Sequence, residues 1–213
     1  MVPGLYRGQL VTLLDQTTPI DGKLADAFER LGHVMRVRLR AVASHDGLSP
    51  MQADLLMQLS HRGPAEVGQL AASLDVRKPT VSDSVAALER KGLLTRNAIQ
   101  ADRRRHMLDL TASGREVAAR LAEWRQPFRV ALAETDLRGD RTSKTAVYEW
   151  LVAVVSRLHQ DGLVTQARTC GTCRFFRPDR HKESEYPHHC ALLDLPLGGE
   201  RIRLDCPEHE PAA

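Results

Sequence analysis

The sequence predicts a mainly α-helical fold that carries one small β-hairpin and ends in a short segment held together by a metal. Three observations lead to this fold class. Apolar residues recur at helical spacing through most of residues 21–162. Two short strand-like runs flank an arginine-rich turn near residue 104, and all four cysteines lie in the last 44 residues.

A short helix is predicted over residues 77–91. Pro79 suits a first helical turn, where its missing N–H is not needed, and Gly92 is a common residue just after a helix end. Val81, Val85 and Leu88 form one narrow apolar stripe. The opposite face offers short polar side chains, which are Thr80, Ser82, Asp83 and Ser84.

A hairpin follows, with strands at 93–95 and 107–110 and a tip over 97–106 that carries Arg103, Arg104 and Arg105. Residues 77–105 hold eight basic and three acidic side chains, so this stretch is net +5 while the chain is net +3. A charge run alone usually marks a solvated surface. A polar helix followed by a basic hairpin instead suits duplex DNA, because hydroxyls can reach base edges in the major groove and arginines can bind phosphates or the minor groove. Arg77 and Lys78 would face the DNA backbone.

The flanking sequence reads as further helices. A long apolar stripe begins at Asp21, Ser49-Pro50 opens a second helix, and a third covers 65–75. Thr111 or Ser113 caps the helix after the hairpin, Pro127 predicts a break near 123–126, and a last helix covers 144–160. The predicted organisation is an N-terminal arm (1–20), a dimerisation helix (21–46), a DNA-binding lobe (47–111), dimerisation helices (112–163) and a cysteine-rich tail (168–213).

Two phrases, VSDSVAALERKGLLTR and DRRRHMLDLT, resemble the recognition helix and the wing of the MarR family of winged helix-turn-helix regulators. The resemblance extends over about residues 22–162. It implies a homodimer that binds a pseudo-palindromic operator in double-stranded DNA, most often as a repressor. It also implies a small-molecule effector pocket between the DNA-binding lobe and the dimerisation helices.

The tail differs in composition from the rest of the chain. Its cysteines are spaced C-x2-C-x16-C-x15-C, and residues 170–213 carry six basic and eight acidic side chains, which argues against a second DNA-binding surface. A segment this short buries little core and usually needs a covalent or metal link. The predicted metal ligands are Cys170, Cys173, Cys190 and Cys206.

The identity of the metal is left open by the spacing. A single C-x-x-C with two lone cysteines is commoner among iron–sulfur sites, whereas structural zinc sites usually present two close pairs. An iron–sulfur cluster is preferred, zinc is the alternative, and a disulfide or thiol switch is the remaining possibility. No histidine is assigned as a ligand, although four lie in this segment: His181, His188, His189 and His209.

Several function classes are disfavoured by the sequence. It contains no apolar run long enough to span a bilayer and no secretory signal at the N-terminus, so the chain is expected to be cytoplasmic and not bound to a membrane. It contains no nucleophile–base pairing, no glycine-rich phosphate loop and no His-Glu-x-x-His motif, so no enzymatic activity is expected.

The leading hypothesis is therefore a DNA-binding regulator whose tail senses redox state or iron. A second hypothesis keeps the regulator but gives it a structural zinc site and a small-molecule effector. A third makes the tail an electron-transfer or enzymatic module.

Overall fold

The computed structural model describes residues 19–99, 102–135 and 141–212. The chain divides into two compact units, Met1–Pro50 and Met51–Ala213. Residues 1–18 of the predicted N-terminal arm and residues 136–140 of the predicted turn lie outside the described residues. Within the described ranges, no helix is both long enough and apolar enough to cross a membrane.

The first unit consists of one long helix, α1 (Ile20–His45). Gly47 follows it with φ +64°, and the Leu48 N–H donates to the Ala43 carbonyl at 2.9 Å, which closes the helix end. Several large apolar side chains of α1 are exposed to solvent in the single chain: Ile20, Phe28, Leu31, Val34, Met35 and Val37.

The second unit begins with three short helices, α2 (Pro50–Arg62), α3 (Val67–Ser73) and α4 (Lys78–Arg90). The stripe predicted for the third of them is correct, because Val81, Val85 and Leu88 are fully buried. Gly92 adopts φ +68° and ends α4 as expected. The remaining core of this lobe is aliphatic: Leu55, Leu56, Leu59, Leu70, Leu94, Leu108 and Leu110.

The hairpin is longer than predicted. β1 (Leu94–Ile99) and β2 (Asp102–Leu110) pair antiparallel, with Asn97 opposite Met107 and Ala98 opposite His106. The tip predicted over 97–106 is therefore wrong, and the three arginines lie within β2. Local sequence did not indicate this extent, because residues 102–106 are all polar or charged and show no hydrophobic alternation. Ala65 adds a third, one-residue strand through two hydrogen bonds with Leu108, of 2.9 and 3.1 Å.

After the wing, α5 (Ala112–Ala122) leads through a 3₁₀ turn (Glu123–Arg125) into α6 (Gln126–Glu134). The break predicted at Pro127 is confirmed. Thr111 caps α5, because its Oγ1 accepts from the Gly114 N–H at 3.0 Å and donates to the Gly92 carbonyl at 2.7 Å. One hydroxyl thus joins the start of α5 to the end of α4.

The last long helix is α7 (Arg141–Gln160), and Gly162 follows it with φ +74°. The tail beyond it forms a small antiparallel sheet in the order β3-β4-β5, with 3₁₀ turns at Cys170–Thr172 and Gly199–Arg201. The strands are β3 (Phe176–Arg177), β4 (His188–Cys190) and β5 (Leu195–Leu197). The fold is therefore mainly helical with a β-hairpin wing, as predicted.

Candidate nucleic-acid interface and metal centre

The polar face of α4 is presented to solvent. Thr80, Ser82 and Asp83 are exposed, and Ser84 is half-buried. Helical spacing produces this arrangement, because the stripe of Val81, Val85 and Leu88 points into the core. The free face therefore carries hydroxyl and carboxylate groups, which can bond to base edges.

Two basic residues stand at the start of α4. Arg77 is the N-cap and Lys78 the first helical residue, and both are exposed. The Lys78 stem lies over Gly68 of α3, where an added Cβ would be 3.3 Å from its Cε. The Lys78 ammonium group therefore lies near the start of α3, with Nζ 3.6 Å from the position of that added Cβ.

The wing arginines differ in their surroundings. The Arg105 guanidinium forms a salt bridge with Glu66, the N-cap of α3, although 60% of the Arg105 side chain is exposed. Arg96 pairs with Glu89 at 3.3 Å. The side chains of Arg103 and Arg104 lie outside the described part of the structure. The salt bridge of Arg105 could not be predicted from the sequence. Glu66 lies close to Arg105 because the neighbouring Ala65 is hydrogen-bonded to Leu108 of the wing.

The four cysteines are drawn together by backbone hydrogen bonds of the tail. The Cys173 N–H donates to the Cys170 carbonyl at 3.1 Å, so the C-x-x-C pair forms one tight turn. Cys190 lies opposite Phe176 in the β3–β4 register. The Cys206 N–H donates to the Arg168 carbonyl at 2.9 Å, two residues before Cys170.

One apolar pocket is lined by all four cysteines, by Phe175 and Phe176, and by Leu192, Leu193 and Leu197. Burial raises the pKa of the Cys170 thiol, and the other three cysteines raise it further. The Arg203 N–H opposes this by donating to Cys170 Sγ at 3.2 Å. The net effect is a raised pKa, so ionisation of the Cys170 thiol is disfavoured in this pocket.

The arrangement of side chains that could act as metal ligands is relevant to which metal the tail could bind. Among the described residues, no group of three or more His, Cys, Asp or Glu side chains is placed to hold a single metal ion. The histidines bond elsewhere: His181 Nε2 is 3.3 Å from His189 Nδ1, and His189 Nε2 is 3.2 Å from Asp194. His209 Nε2 is 2.9 Å from Thr172 Oγ1, and burial lowers the His209 pKa.

The tail packs against α7 through a face that the sequence analysis missed. Val152 forms a small core with Cys170, Leu197 and Ile202. Ser156 Oγ is 2.7 Å from Thr169 Oγ1. Tyr148, one turn before Val152, donates to the Ile202 carbonyl at 3.0 Å. Three large apolar side chains elsewhere on α7 are exposed: Val147, Trp150 and Leu158.

The tail also contacts the helix-turn-helix. Asp205, next to Cys206, accepts from Arg62 at the end of α2, with distances of 2.8 and 3.2 Å. Thr165 donates to Asp75 in the turn before α4, at 2.9 Å. Neither contact could be expected from the sequence, because 143 and 90 residues separate the partners.

The known proteins to which this chain is similar are transcriptional regulators. Residues 46–105 match the profile of the MarR family. A putative transcriptional regulatory protein for the hcr operon of Thauera aromatica is 29% identical over 84 residues, which are 39% of this chain and 51% of that protein. The chain thus matches about half the length of this curated relative.

Two crystal structures share the fold. One is a MarR family transcription regulator, with 20% identity and a TM-score of 0.56 over 75% of this chain and 100% of the other. The other is MepR, a transcription regulator of the Staphylococcus aureus multidrug efflux pump MepA, with 20% identity and a TM-score of 0.51 over 61% and 97%. The family profile ends at residue 105, so the cysteine-rich tail lies outside it.

Proposed function

We propose that this chain, a transcriptional regulator of the MarR type, binds operator DNA as a homodimer and carries in its tail a four-cysteine iron–sulfur cluster that controls that binding. The observation that carries the DNA-binding part is the exposed polar face of α4 beside a basic wing. The observation that carries the regulatory part is the apolar pocket lined by all four cysteines. No enzymatic step is assigned to the chain.

Three groups of residues would have different roles in DNA binding. The hydroxyls of Thr80, Ser82 and Ser84 and the carboxylate of Asp83 would read base edges in the major groove. Arg77 and Lys78 would bind phosphates at the start of α4, where the helix N-terminus adds positive potential. The wing residues Arg103, Arg104 and Arg105 would neutralise the flanking backbone or enter the minor groove.

Dimerisation is supported by apolar side chains that the single chain leaves uncovered. In the first unit these lie on α1, where Leu31 and Val37 are 53% and 52% exposed. In the second unit they lie on α6 and α7, including Leu132, Val147 and Trp150. Exposed apolar residues at helical spacing on long helices are typical of subunit interfaces. A two-fold dimer would present two recognition helices to a pseudo-palindromic operator.

An iron–sulfur cluster is the preferred occupant of the tail, and a zinc ion is the alternative. The preference rests on the cysteine spacing, because a single C-x-x-C with two lone cysteines is commoner among iron–sulfur sites than among structural zinc sites. All four cysteines line one apolar pocket. N–H groups such as that of Arg203, which donates to Cys170 Sγ at 3.2 Å, would tune the potential of a bound cluster. When bound, the cluster would supply reversible one-electron chemistry.

Metal analysis of protein purified without oxygen tests this assignment. Iron with acid-labile sulfide and visible absorption would support the cluster. Colourless protein with stoichiometric zinc would contradict it and leave the tail a structural element. The regulator would then need a different signal, for which the family resemblance suggests a small-molecule effector. Visible absorption without DNA binding would instead favour an electron-transfer module.

The role of Lys78 gives a prediction for DNA binding. Lys78→Ala is expected to weaken binding by a similar factor on all sequences, and to reduce the slope of log affinity against log salt by ~0.9, the value for one phosphate contact. Fluorescence anisotropy at several salt concentrations measures this. Lys182→Ala, which removes an exposed lysine from the tail, is the control and should leave the slope unchanged. If the Lys78 variant lost its preference for particular sequences, the result would mean that the Lys78 side chain contacts a base and not a phosphate.

A further inference from the structure

The strongest unassigned feature of the second unit is the carboxylate of Asp205, which lies between a proposed cluster ligand and the helix-turn-helix. Its Oδ2 accepts two hydrogen bonds from Arg62, at 2.8 Å from Nη2 and 3.2 Å from Nε. Its Oδ1 is 3.6 Å from Nε of Arg168. All three side chains are about one third exposed, with exposed fractions of 28 to 35%. Asp205 therefore holds two guanidinium groups at once.

Each of the two arginines is linked to a part of the chain that the proposed function uses: Arg168 to Cys206, and Arg62 to the loop that leads to the wing. The Arg168 carbonyl accepts from the Cys206 N–H at 2.9 Å, so Cys206 is bonded to the same residue whose side chain lies beside Asp205. Arg62 is the last residue of α2, and three residues later Ala65 pairs with Leu108 of the wing. A displacement of Cys206 would therefore move its neighbour Asp205. The hydrogen bonds of Asp205 would transmit this to Arg62, which precedes the loop that contains Ala65.

A second contact of the tail segment reaches the turn after α3. Thr165 Oγ1 donates to Asp75 at 2.9 Å, and Asp75 adopts φ +54° in the turn that leads into α4. A cleft of about 530 Å³ is lined by Arg62, by Gln69, Leu70 and Ser73 of α3, and by residues 165–168. The tail segment therefore bonds to the end of α2 and to the turn after α3, and an open cleft separates it from α3 between these contacts.

We propose that Asp205 couples the occupancy of the cysteine pocket to DNA binding, with Arg62 as its acceptor on the helix-turn-helix. This inference rests on the proposed function and deepens it by naming the residues of the regulation. Two polar contacts across an open cleft can release without breaking a packed core, which a reversible switch requires. Binding of metal by Cys206 would fix the Asp205 backbone and hold α3 and the wing in one arrangement. Loss of the metal would free them to adopt another.

The test compares DNA affinity of protein reconstituted with ferrous iron and sulfide with that of metal-free protein, on a duplex selected by the wild type. We expect the two affinities of the wild type to differ by about 5- to 150-fold, the usual range of such coupling. Arg62→Met should bring this ratio close to one while iron and sulfide content stay unchanged, because Arg62 does not line the pocket. Asp205→Asn should give the same result, and the double variant should add nothing.

Arg157→Met is the matched control. It breaks an ion pair of 2.9 Å with Asp161, just after the end of α7, and not a bond to α2 or α3, so it should keep the wild-type ratio. Amide exchange provides a second readout: removal of metal should speed exchange of Ala65 and Val76 in the wild type, whereas in Arg62→Met exchange should be fast with or without metal.

The outcomes separate the two proposals. A wild-type ratio that persists in Arg62→Met overturns the role of Asp205 and leaves cluster control standing. A wild-type ratio of one overturns both cluster control and the inference drawn from it.

Discussion

Gly114→Ala is expected to destabilise the DNA-binding lobe by about 3 kcal/mol or more, although the same change inside a helix normally stabilises by up to about 1 kcal/mol. A Cβ built on Gly114 would lie 2.0 Å from the Leu93 carbonyl oxygen and 3.0 Å from its carbon. Both are backbone atoms, so no side-chain rotation relieves the contact. Leu93 also accepts from the Thr111 N–H at 3.2 Å, and this bond would have to lengthen.

Urea unfolding followed by circular dichroism measures the change in free energy. Ser113→Ala is the matched control, because Ser113 is the exposed neighbour on the same helical turn and its replacement should stay within about 0.5 kcal/mol of wild type. Gly114→Ala should also weaken DNA binding, since Thr111 and Leu93 join the wing to the end of α4. A variant as stable as wild type would mean that α5 can shift away from Leu93 at little cost.

Local sequence signals were enough to locate the recognition helix and its neighbours. The stripe of Val81, Val85 and Leu88, the cap at Thr111 and the break at Pro127 each depend on residues within a few positions of one another. Hydrophobic spacing and cap chemistry act over that same range, so they predict such elements well. The extent of the wing was missed because residues 102–106 are all polar or charged and show no hydrophobic alternation.

The surroundings of the tail could not be predicted for the same reason. The cysteine spacing indicated a metal site, but its supporting core includes Val152 and Tyr148 of α7. These residues share a face with Ser156, whose hydroxyl makes the face look polar in sequence. That hydroxyl is buried and bonded to Thr169, and Gly171 is required beside it, since a Cβ there would lie 2.8 Å from Ser156 Oγ. Because Ser156 lies at the centre of the contact between α7 and the tail, the residues of α7 that face the tail show no clear hydrophobic periodicity.

Replacing Cys206 with Ser is expected to abolish metal binding by the tail. Replacing only a residue that supports a ligand costs about 10- to 100-fold in metal affinity, so removal of one of four ligands should exceed this and leave the purified protein without metal. Cys173→Ser should have the same effect, because the pocket is lined by both sulfurs. Elemental analysis and the visible spectrum of protein purified without oxygen measure the loss.

His181→Ala is the control that distinguishes an all-cysteine site from a mixed site. His181 lies 3.3 Å from His189 in the sheet that carries Cys190, yet it does not line the pocket. Its removal should leave the metal content unchanged. A loss of metal in this variant, or metal retained in both cysteine variants, would contradict the proposed ligand set.

DNA binding should survive in the cysteine variants. The aliphatic core of the DNA-binding lobe is made by residues of α2, α3, α4 and the wing, for example Leu55, Leu70, Val85 and Leu108. The Cys206→Ser protein should therefore bind the operator with one affinity, equal to that of metal-free wild type, and should not respond to added iron and sulfide. A variant that no longer bound DNA would show instead that the tail is required to fold the lobe, because a pure control element can be removed without removing what it controls.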